Sequence, residues 1–390
     1  MLDRLLHPTL LRRLAASPAA ALVGPRQAGK TTLARAISSI YYDLEQEEDR
    51  LRLDLEWPRV EKESRVVVLD EAQAWPEVFP RLRGAIDARR RPNGRFLLLG
   101  SVSPALMTEV SESLAGRLAL LELTPLLWDE LPSEAARKRR WLCGGFPDGG
   151  VLSPGAFPRW QADYLALLVQ RDLPTWGLPA RPQVTSRLLR MIAATHGQTW
   201  NASGIGKSLG LSYHTVNSYL DYLVGAFLIR QLAPYHANIK KRIVKSPKIY
   251  WRDTGLLHAL LDVEDFESLL DRPWVGASWE GFVIEQVLGL LDAQGKSHRA
   301  SYLRTSDRME VDLVLELEGE VWAIESKLTS SPSPHDLTRL DAAADLIAAD
   351  RRFLISQTQR ASGDDVRASH GLPSFLGWLR ERASSRGRQA

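Results

Sequence analysis

The sequence predicts an α/β protein of several domains, the first of which is built on a parallel sheet. Three observations predict this fold class. A glycine-rich octapeptide at residues 24–31 lies between a short apolar segment and a helical one. Further continuous apolar runs follow it, as is typical of buried parallel strands. Nearer the C-terminus, a helix-turn-helix pattern precedes two strands of alternating polarity, which indicates additional domains.

Composition is ordinary for a globular protein. The 390 residues suffice for two or three domains, and 44% of them are hydrophobic while 25% are charged. A single cysteine, Cys143, excludes an internal disulfide and predicts a reducing, cytoplasmic location. We see neither an apolar run of about 20 residues nor a signal-peptide core, so we expect no membrane association. The net charge of +3 does not by itself indicate a polyanionic partner.

The octapeptide matches G-x-x-x-x-G-K-[ST], the phosphate-binding P-loop. Its glycines let backbone N–H groups face a β-phosphate at the start of a helix. Lys30 is expected to reach the β- and γ-phosphates, and the Thr31 hydroxyl to bind Mg²⁺. A turn with no nucleotide is the alternative, which the flanking strand and helix disfavour. The predicted ATP-binding residues are Gly24, Pro25, Arg26, Gln27, Ala28, Gly29, Lys30, Thr31, Thr32 and Asp70.

Two acids follow the next apolar strand, residues 65–69. The C-terminal ends of parallel strands face the ligand crevice. Asp70 is therefore predicted to hold Mg²⁺ through water, and Glu71 to polarise the attacking water. The second acid favours hydrolysis over a kinase of small molecules. An acidic turn without a catalytic role is the alternative.

Two further positions are candidates for γ-phosphate chemistry. The strand at residues 95–99 runs into Ser101, which would lie beside the γ-phosphate. A predicted helix then ends at Arg117, and another strand begins. Arg117 is placed where an arginine finger would reach a neighbouring subunit's nucleotide. A surface arginine capping a helix C-terminus is the alternative.

This order of P-loop, Asp-Glu pair, polar strand end and junction arginine resembles the AAA+ ATPases over about residues 15–180. A prokaryotic group of that family also shares three short elements. These are Gly100-Ser101-Val102-Ser103-Pro104, Leu114-Ala115-Gly116-Arg117 and Gly144-Gly145-Phe146-Pro147. The resemblance implies an AAA+ P-loop αβα core at residues 1–140, a helical lid at 141–182, and a homo-oligomer such as a ring or hexamer. The lid's amphipathic helix, residues 156–172, carries Arg171 as a phosphate ligand or as a plain C-terminal cation.

Residues 183–250 predict a winged-helix domain. Two helices joined by a tight turn, the second capped by the Ser212 hydroxyl, form the helix-turn-helix. A strand and a basic stretch at residues 238–248 complete a wing, whose cations suit phosphate contacts. A protein–protein joint is the alternative. The predicted DNA-binding residues are Tyr213, His214, Asn217, Lys240, Lys241, Arg242, Lys245 and Lys248.

Residues 251–380 predict a second α/β domain, followed by a disordered tail at residues 381–390. Residues 309–317 alternate in polarity, a turn follows at Gly319, and residues 321–327 return. A hairpin centred on that glycine brings Asp312 beside Glu325.

Asp312, followed by Glu325-Ser326-Lys327 on the adjacent strand, resembles the core of PD-(D/E)xK nucleases. Glu280 matches the family's upstream acid, although Val311 stands where the family usually has proline. The resemblance implies that Glu280, Asp312 and Glu325 bind Mg²⁺ and that Lys327 steers or deprotonates water. A solvated hairpin with a Glu310–Lys327 pair is the alternative.

Two functions follow as hypotheses. One is an ATP-hydrolysing AAA+ protein coupled to a DNA-binding, metal-dependent nuclease-like domain, acting in DNA processing or repair. The other is a non-nucleolytic ATPase switch that binds DNA or a protein partner. The nuclease hypothesis requires the predicted carboxylates to share one divalent ion in a cleft that admits a phosphodiester backbone.

Overall fold

A computed structural model describes residues 2–100, 114–175, 178, 181–235, 244–307 and 309–386. Its N-terminal unit is a five-stranded parallel sheet in the order β2-β3-β4-β1-β5. The strands are β1 (Ala19–Val23), β2 (Ile40–Asp43), β3 (Val67–Asp70), β4 (Phe96–Gly100) and β5 (Leu118–Glu122). The helices are α1 (His7–Ala16), α2 (Lys30–Ile37), α3 (Glu47–Val60) and α4 (Val78–Ala88).

The apolar runs become the central strands of this sheet. Every residue of β1, β3 and β4 is buried, because helices cover both faces. The C-terminal ends of these strands lie at one edge, where a short 3₁₀ turn, Ala72–Ala74, follows β3. The predicted α/β class with a parallel P-loop core is confirmed. Ser101 lies outside the described residues.

A helical segment follows the core. It contains a 3₁₀ turn at Trp128–Glu130, helix α5 (Glu134–Cys143) and helix α6 (Arg159–Leu167). π-helical turns lie at Pro147–Val151 and at Leu168–Asp172. The predicted boundary at 140/141 falls inside α5. The predicted helix over 156–172 begins later, at Arg159, and changes to π-helical geometry at Leu168.

The middle unit contains three helices and three short antiparallel strands. The helices are α7 (Pro182–Ala194), α8 (Ala202–Leu209) and α9 (Tyr213–Gly225). The strands are β6 (Gln198–Thr199), β7 (Ile229–Pro234) and β8 (Lys248–Trp251), in the order β7-β8-β6. The Ser212 hydroxyl accepts a hydrogen bond from the Thr215 N–H at 3.0 Å, so the predicted cap of α9 is confirmed.

The C-terminal unit extends the same sheet. Its helices are α10 (Thr254–Leu260), α11 (Phe266–Leu270), α12 (Val275–Gln294), α13 (Pro334–Leu346) and α14 (Leu372–Arg386). Its strands are β9 (His298–Arg304), β10 (Glu310–Leu317), β11 (Glu320–Ser326), β12 (Arg351–Ser356), β13 (Ser362–Gly363) and β14 (Arg367–Gly371).

Strand β9 pairs with β7, so the middle and C-terminal units share one nine-stranded sheet. The predicted boundary at 250/251 falls inside β8. Helix α14 reaches Arg386, so residues 381–386 are helical and not a disordered tail. No helix of the described residues is long and apolar enough to cross a membrane.

Candidate functional site

The P-loop joins β1 to α2, and its two glycines are required by the backbone. Gly24 has a φ of 143°, and a Cβ there would lie 2.3 Å from the Leu123 carbonyl oxygen. Gly29 caps α2 with a φ of 96°. Both values lie in the region that side chains disfavour. The loop therefore keeps its curled path only with glycine at these two positions.

Lys30, the first residue of α2, is buried against its own loop. Its Nζ donates to the carbonyl oxygens of Gly24 at 3.0 Å and Pro25 at 2.9 Å. Burial lowers the pKa of Lys30 to about 8, although Glu71 and Asp70 act in the opposite direction. The ammonium thus lies within the loop, next to both acids of the predicted hydrolytic pair.

Thr31 and Asp70 meet as the sequence predicts. The Thr31 hydroxyl donates to Asp70 Oδ2 at 2.7 Å, and the Tyr41 hydroxyl donates to the same oxygen at 2.6 Å. A hydroxyl and a carboxylate at the start of a P-loop helix are the oxygen ligands that Mg²⁺ prefers, so these residues fit the ion. Tyr41 was not predicted, because β2 carries no motif that marks it.

Glu71 follows β3 in a left-handed conformation, with a φ of 47°. The charge of Lys30 acts on the Glu71 carboxyl and opposes the effect of burial on its pKa. The Gln73 amide donates a short hydrogen bond to Glu71 Oε2. Burial raises the pKa of the Glu71 carboxyl, which increases its affinity for a proton.

Two arginines tie the P-loop to distant parts of the chain. Arg4 donates to the Ala28 carbonyl at 2.8 Å and pairs with Glu130 at 3.0 Å. Arg26 pairs with Asp172 at 2.9 Å, at the end of the π-helical turn after α6. Arg4 was not predicted, because residues 2–6 match no functional motif. Arg26 was predicted only as a residue of the P-loop motif.

Arg117 has a partner within its own chain. Its guanidinium binds Asp87 through two hydrogen bonds of 2.8 Å each. The pair lies at the start of β5, at the edge of the sheet opposite the P-loop. In the separate helical segment, Arg171 is exposed. Neither arginine is within the chain's own P-loop cluster.

The predicted DNA-binding residues divide into three groups. Tyr213, His214 and Lys245 are exposed, and Tyr213 has 53% of its surface accessible. Asn217 is partly buried and accepts a hydrogen bond from Trp200 Nε1 at 2.9 Å. The remaining three surface candidates, Lys240, Lys241 and Arg242, lie outside the described residues.

Lys248 is not a surface cation, and its assignment to DNA binding is wrong. It is only 2% exposed, because β8 is buried along its length. Its Nζ lies 2.8 Å from Glu280 Oε1 and 2.6 Å from Glu310 Oε1. Asp312 Oδ1 is 4.0 Å away. The carboxylates raise the pKa of Lys248 although burial opposes the charged form, so the side chain is an ammonium.

The C-terminal candidates gather around this lysine. The β10–β11 register of Leu313 with Ile324 brings Asp312 beside Glu325. Asp312 Oδ2 accepts from the Ser326 N–H and from the Ser326 hydroxyl, each at 2.9 Å. Lys327 Nζ pairs with Glu325 Oε1 at 2.6 Å. The predicted cross-strand Glu310–Lys327 pair is replaced by these two contacts, Glu310 with Lys248 and Lys327 with Glu325.

Asp312 and Glu325 are buried, whereas Glu280 and Glu310 are partly exposed. Burial and the nearby charge of Asp312 raise the pKa of Glu280 to about 7 and also raise that of Glu325. The Tyr250 hydroxyl donates a short hydrogen bond to Glu280 Oε1. Glu325 Oε2 is buried without a hydrogen-bond partner.

This cluster does not fit a divalent metal as it stands. Within the described ranges, no group of three or more His, Cys, Asp or Glu side chains is arranged to hold a metal ion. Asp312 and Glu325 are 7% and 9% exposed. A neighbouring cavity of about 130 Å³, lined in part by Glu310, Glu325 and Arg339, does not match the predicted cleft for a phosphodiester backbone.

One buried arginine connects all three units. Arg252, directly after β8, binds Glu122 at the end of β5 at 2.6 Å. It also binds Glu285 of α12 at 3.0 Å, and Glu285 in turn pairs with Arg230 of β7. Burial opposes ionisation of Glu285, but the two arginines lower its pKa to about 2.

Three family models match separate parts of the chain between residues 16 and 371. Residues 16–131 match a family model described as an AAA domain. Residues 134–267 and 275–371 match two domains of unknown function, DUF8612 and DUF4143. These limits differ from the predicted boundaries at 140 and 250.

Two uncharacterized proteins, Rv2008c of Mycobacterium tuberculosis and Mb2031c of Mycobacterium bovis, are each 41% identical over 329 residues. The aligned region covers 83% of this chain and 73% of each relative. Among solved structures, the Walker-type ATPase PABY2304 of Pyrococcus abyssi is 18% identical, with a TM-score of 0.48. That alignment covers 67% of this chain and 96% of the archaeal one.

Proposed function

We propose that this chain, which belongs to the AAA-domain family of the two mycobacterial proteins, is an ATP-hydrolysing switch. Its middle unit would bind DNA or a protein partner. The observation that supports hydrolysis best is the contact of Thr31 with Asp70 beside a buried Lys30, with Glu71 next in sequence. Nucleotide binding requires the first three residues, whereas the second acid serves turnover.

The chemistry follows from the positions of these side chains. Bound Mg²⁺ would neutralise phosphate charge, held by Thr31 and Asp70. An incoming phosphate would compete with the loop carbonyls for the Lys30 ammonium. Glu71 would orient water and accept its proton, and its raised pKa favours that role.

ATP hydrolysis by purified variants tests this proposal. Lys30→Ala should weaken nucleotide binding. Glu71→Gln should bind ATP normally while turnover falls about 10²-fold or more, since only the water-orienting carboxylate is lost. Glu77→Gln, an exposed acid just beyond the 3₁₀ turn, serves as the matched control. Equal turnover in Glu71→Gln and the wild type would refute the assignment of Glu71.

A metal-dependent nuclease is the second candidate function. One observation favours it. The predicted acids of α12, β10 and β11 lie close together, since β10 pairs with β11 and Lys248 lies between Glu280 and Asp312. The burial of Asp312 and Glu325 and the presence of Lys248 favour the non-nucleolytic switch instead.

The middle unit supports DNA binding as a winged helix. Helices α8 and α9 are joined by a short turn, and the strand order β7-β8-β6 is that of a small wing sheet. Exposed Tyr213 and His214 open the second helix of the pair. The same surface serves equally as a protein joint, which is the alternative partner.

An assay of DNA binding and cleavage separates these candidates. The protein is incubated with linear, branched or single-stranded DNA, with and without ATP, and with Mg²⁺ or Mn²⁺. We expect shifted but uncleaved DNA. Glutamine at Lys240, Lys241, Arg242 and Lys245 together should weaken binding to all sequences and reduce its salt dependence. Lys138→Gln, an exposed lysine of α5, is the control. Cleavage that disappears in Asp312→Ala would establish the nuclease, and no DNA binding by the wild type would favour the protein partner.

A further inference from the structure

We infer that Lys248 is a built-in cation of the C-terminal carboxylate cluster, and that its ammonium occupies this cluster in place of a divalent cation. The inference rests on the nuclease-like arrangement described under the second candidate function. It explains why four residues that match a metal-dependent nuclease are present in a cluster that does not fit a metal.

The position of the ammonium carries the argument. Lys248 Nζ is within 2.8 Å of a carboxylate oxygen of α12 and within 2.6 Å of one of β10. A third carboxylate, Asp312, is 4.0 Å away. An ammonium has three donors and no acceptor, so it can bind several carboxylates at once, as a metal cation does. The lysine reaches this point from β8, which belongs to the middle unit.

The metal and the lysine exclude each other. Mg²⁺ requires oxygen ligands at about 2.0–2.1 Å in near-octahedral geometry, and Lys248 Nζ already binds Glu280, one of the predicted ligands, and lies 4.0 Å from Asp312, another. A divalent ion beside a buried ammonium would also be repelled, because screening by water is weak there. Lys248 is only 2% exposed.

The charge balance gives the expected consequence of removing the lysine. Four carboxylates, those of Glu280, Glu310, Asp312 and Glu325, share the cluster with two ammonium groups, those of Lys248 and Lys327. Loss of the Lys248 charge leaves buried carboxylates without their main counter-ion. Buried carboxylates that lose a counter-ion bind another cation or take up protons.

Mn²⁺ binding to the nucleotide-free, chelator-treated full-length protein tests the inference. Free Mn²⁺ is followed by its EPR signal, and heats of binding by calorimetry. The wild type should show no saturable site that depends on Asp312. Lys248→Met should bind one Mn²⁺ per chain, with a Kd at least about 100-fold lower than any wild-type binding. Adding Asp312→Asn to that variant should abolish the site.

Lys327→Met is the matched control. It removes the other lysine but leaves Lys248 among the acids, so it should gain no site. Mn²⁺ should also raise the melting temperature of Lys248→Met and not that of the wild type. Lys248→Gln, which keeps a donor for Glu280, replaces the methionine variant if that variant does not fold.

Two results would overturn the inference. One is an Asp312-dependent Mn²⁺ site in the wild type, a result that needs no variant of Lys248. The other is a folded Lys248→Met or Lys248→Gln protein that binds no Mn²⁺. Neither ATP nor DNA is present in these titrations. The Mn²⁺ titrations can therefore be interpreted even if the ATPase proposal or the nuclease candidate proves wrong.

Discussion

At the scale of single residues, Lys30 shows how a binding residue costs stability before its ligand arrives. Its ammonium is buried and donates to carbonyl oxygens of its own loop, those of Gly24 and Pro25. Burial lowers the pKa of Lys30 to about 8 from the ordinary 10.5. The unfolded chain therefore binds a proton more tightly than the folded one, so this residue opposes folding wherever it is charged.

We expect Lys30→Met to stabilise the nucleotide-free protein near pH 7 by about 1–3 kcal/mol. The cost of leaving two loop carbonyls without a donor reduces this gain. The gain should shrink as the pH rises from 8 to 10.5, because the folded wild type loses its proton in that window while the unfolded chain keeps it. Melting temperatures at several pH values measure the difference. Lys62→Met, at an exposed position, should show no such trend. A gain that grows with pH would contradict the prediction.

At the scale of elements, two short motifs far apart in sequence depend on each other. Helix α10 begins at Thr254, and Asp253 caps it while also accepting from the Gly145 N–H at 2.7 Å. A Cβ on Gly255 would lie 2.2 Å from the Cys143 carbonyl oxygen. The segment at residues 144–147 and the segment at residues 253–255 therefore contact each other directly. This contact holds α5 against the end of β8.

We expect Gly255→Ala to destabilise the protein by about 1–3 kcal/mol or more, because the obstructing atoms are backbone and cannot rotate away. Gly276→Ala, in α12, is the matched control, since a Cβ there meets nothing within 4 Å. That change should alter stability by less than about 1 kcal/mol. Urea denaturation of both variants measures the contrast, and equal stabilities would show that the contact relaxes.

At the scale of the whole molecule, the ATPase sheet and the nine-stranded sheet meet at Arg252. Its contacts with Glu122 and Glu285 join the end of β5 to α12. Strand β8, which ends beside this arginine, begins at Lys248 in the carboxylate cluster. One short strand therefore leads from the edge of the N-terminal sheet to the C-terminal candidate site.

The ring that the AAA+ resemblance implies would give Arg117 a role that its own chain does not use. If Arg117 acts on a neighbour's nucleotide, Arg117→Ala should lower ATP turnover by about 10³-fold. Mixing it with Lys30→Ala should restore part of the activity, since each defect then affects a different interface. Asp87→Asn frees Arg117 from its partner within the chain and should retain activity.

Two results would contradict this role. One is a protein that sediments as a monomer with saturating ATP. The other is an Asp87→Asn variant as impaired as Arg117→Ala, which would make the pair purely structural. Sedimentation velocity and ATPase rates of the mixtures provide both measurements.

The sequence by itself determined those features in which neighbouring residues act together. The curled P-loop, Asp70 and Glu71 at the end of β3, the cap of α9 and the β10–β11 hairpin all depend on spacing within one turn or strand. Backbone geometry dictates such features locally, so a motif read along the chain is enough to place them.

Only the tertiary structure decided which charges face each other. The basic run that ends at Lys248 has the pattern of a solvated DNA-binding segment, yet this lysine is buried among acids 32 and more residues away. The same holds for Arg4 against the P-loop and for Asp87 against Arg117. Whether a charged side chain meets water or a counter-ion depends on which elements pack together, and no local pattern records that packing.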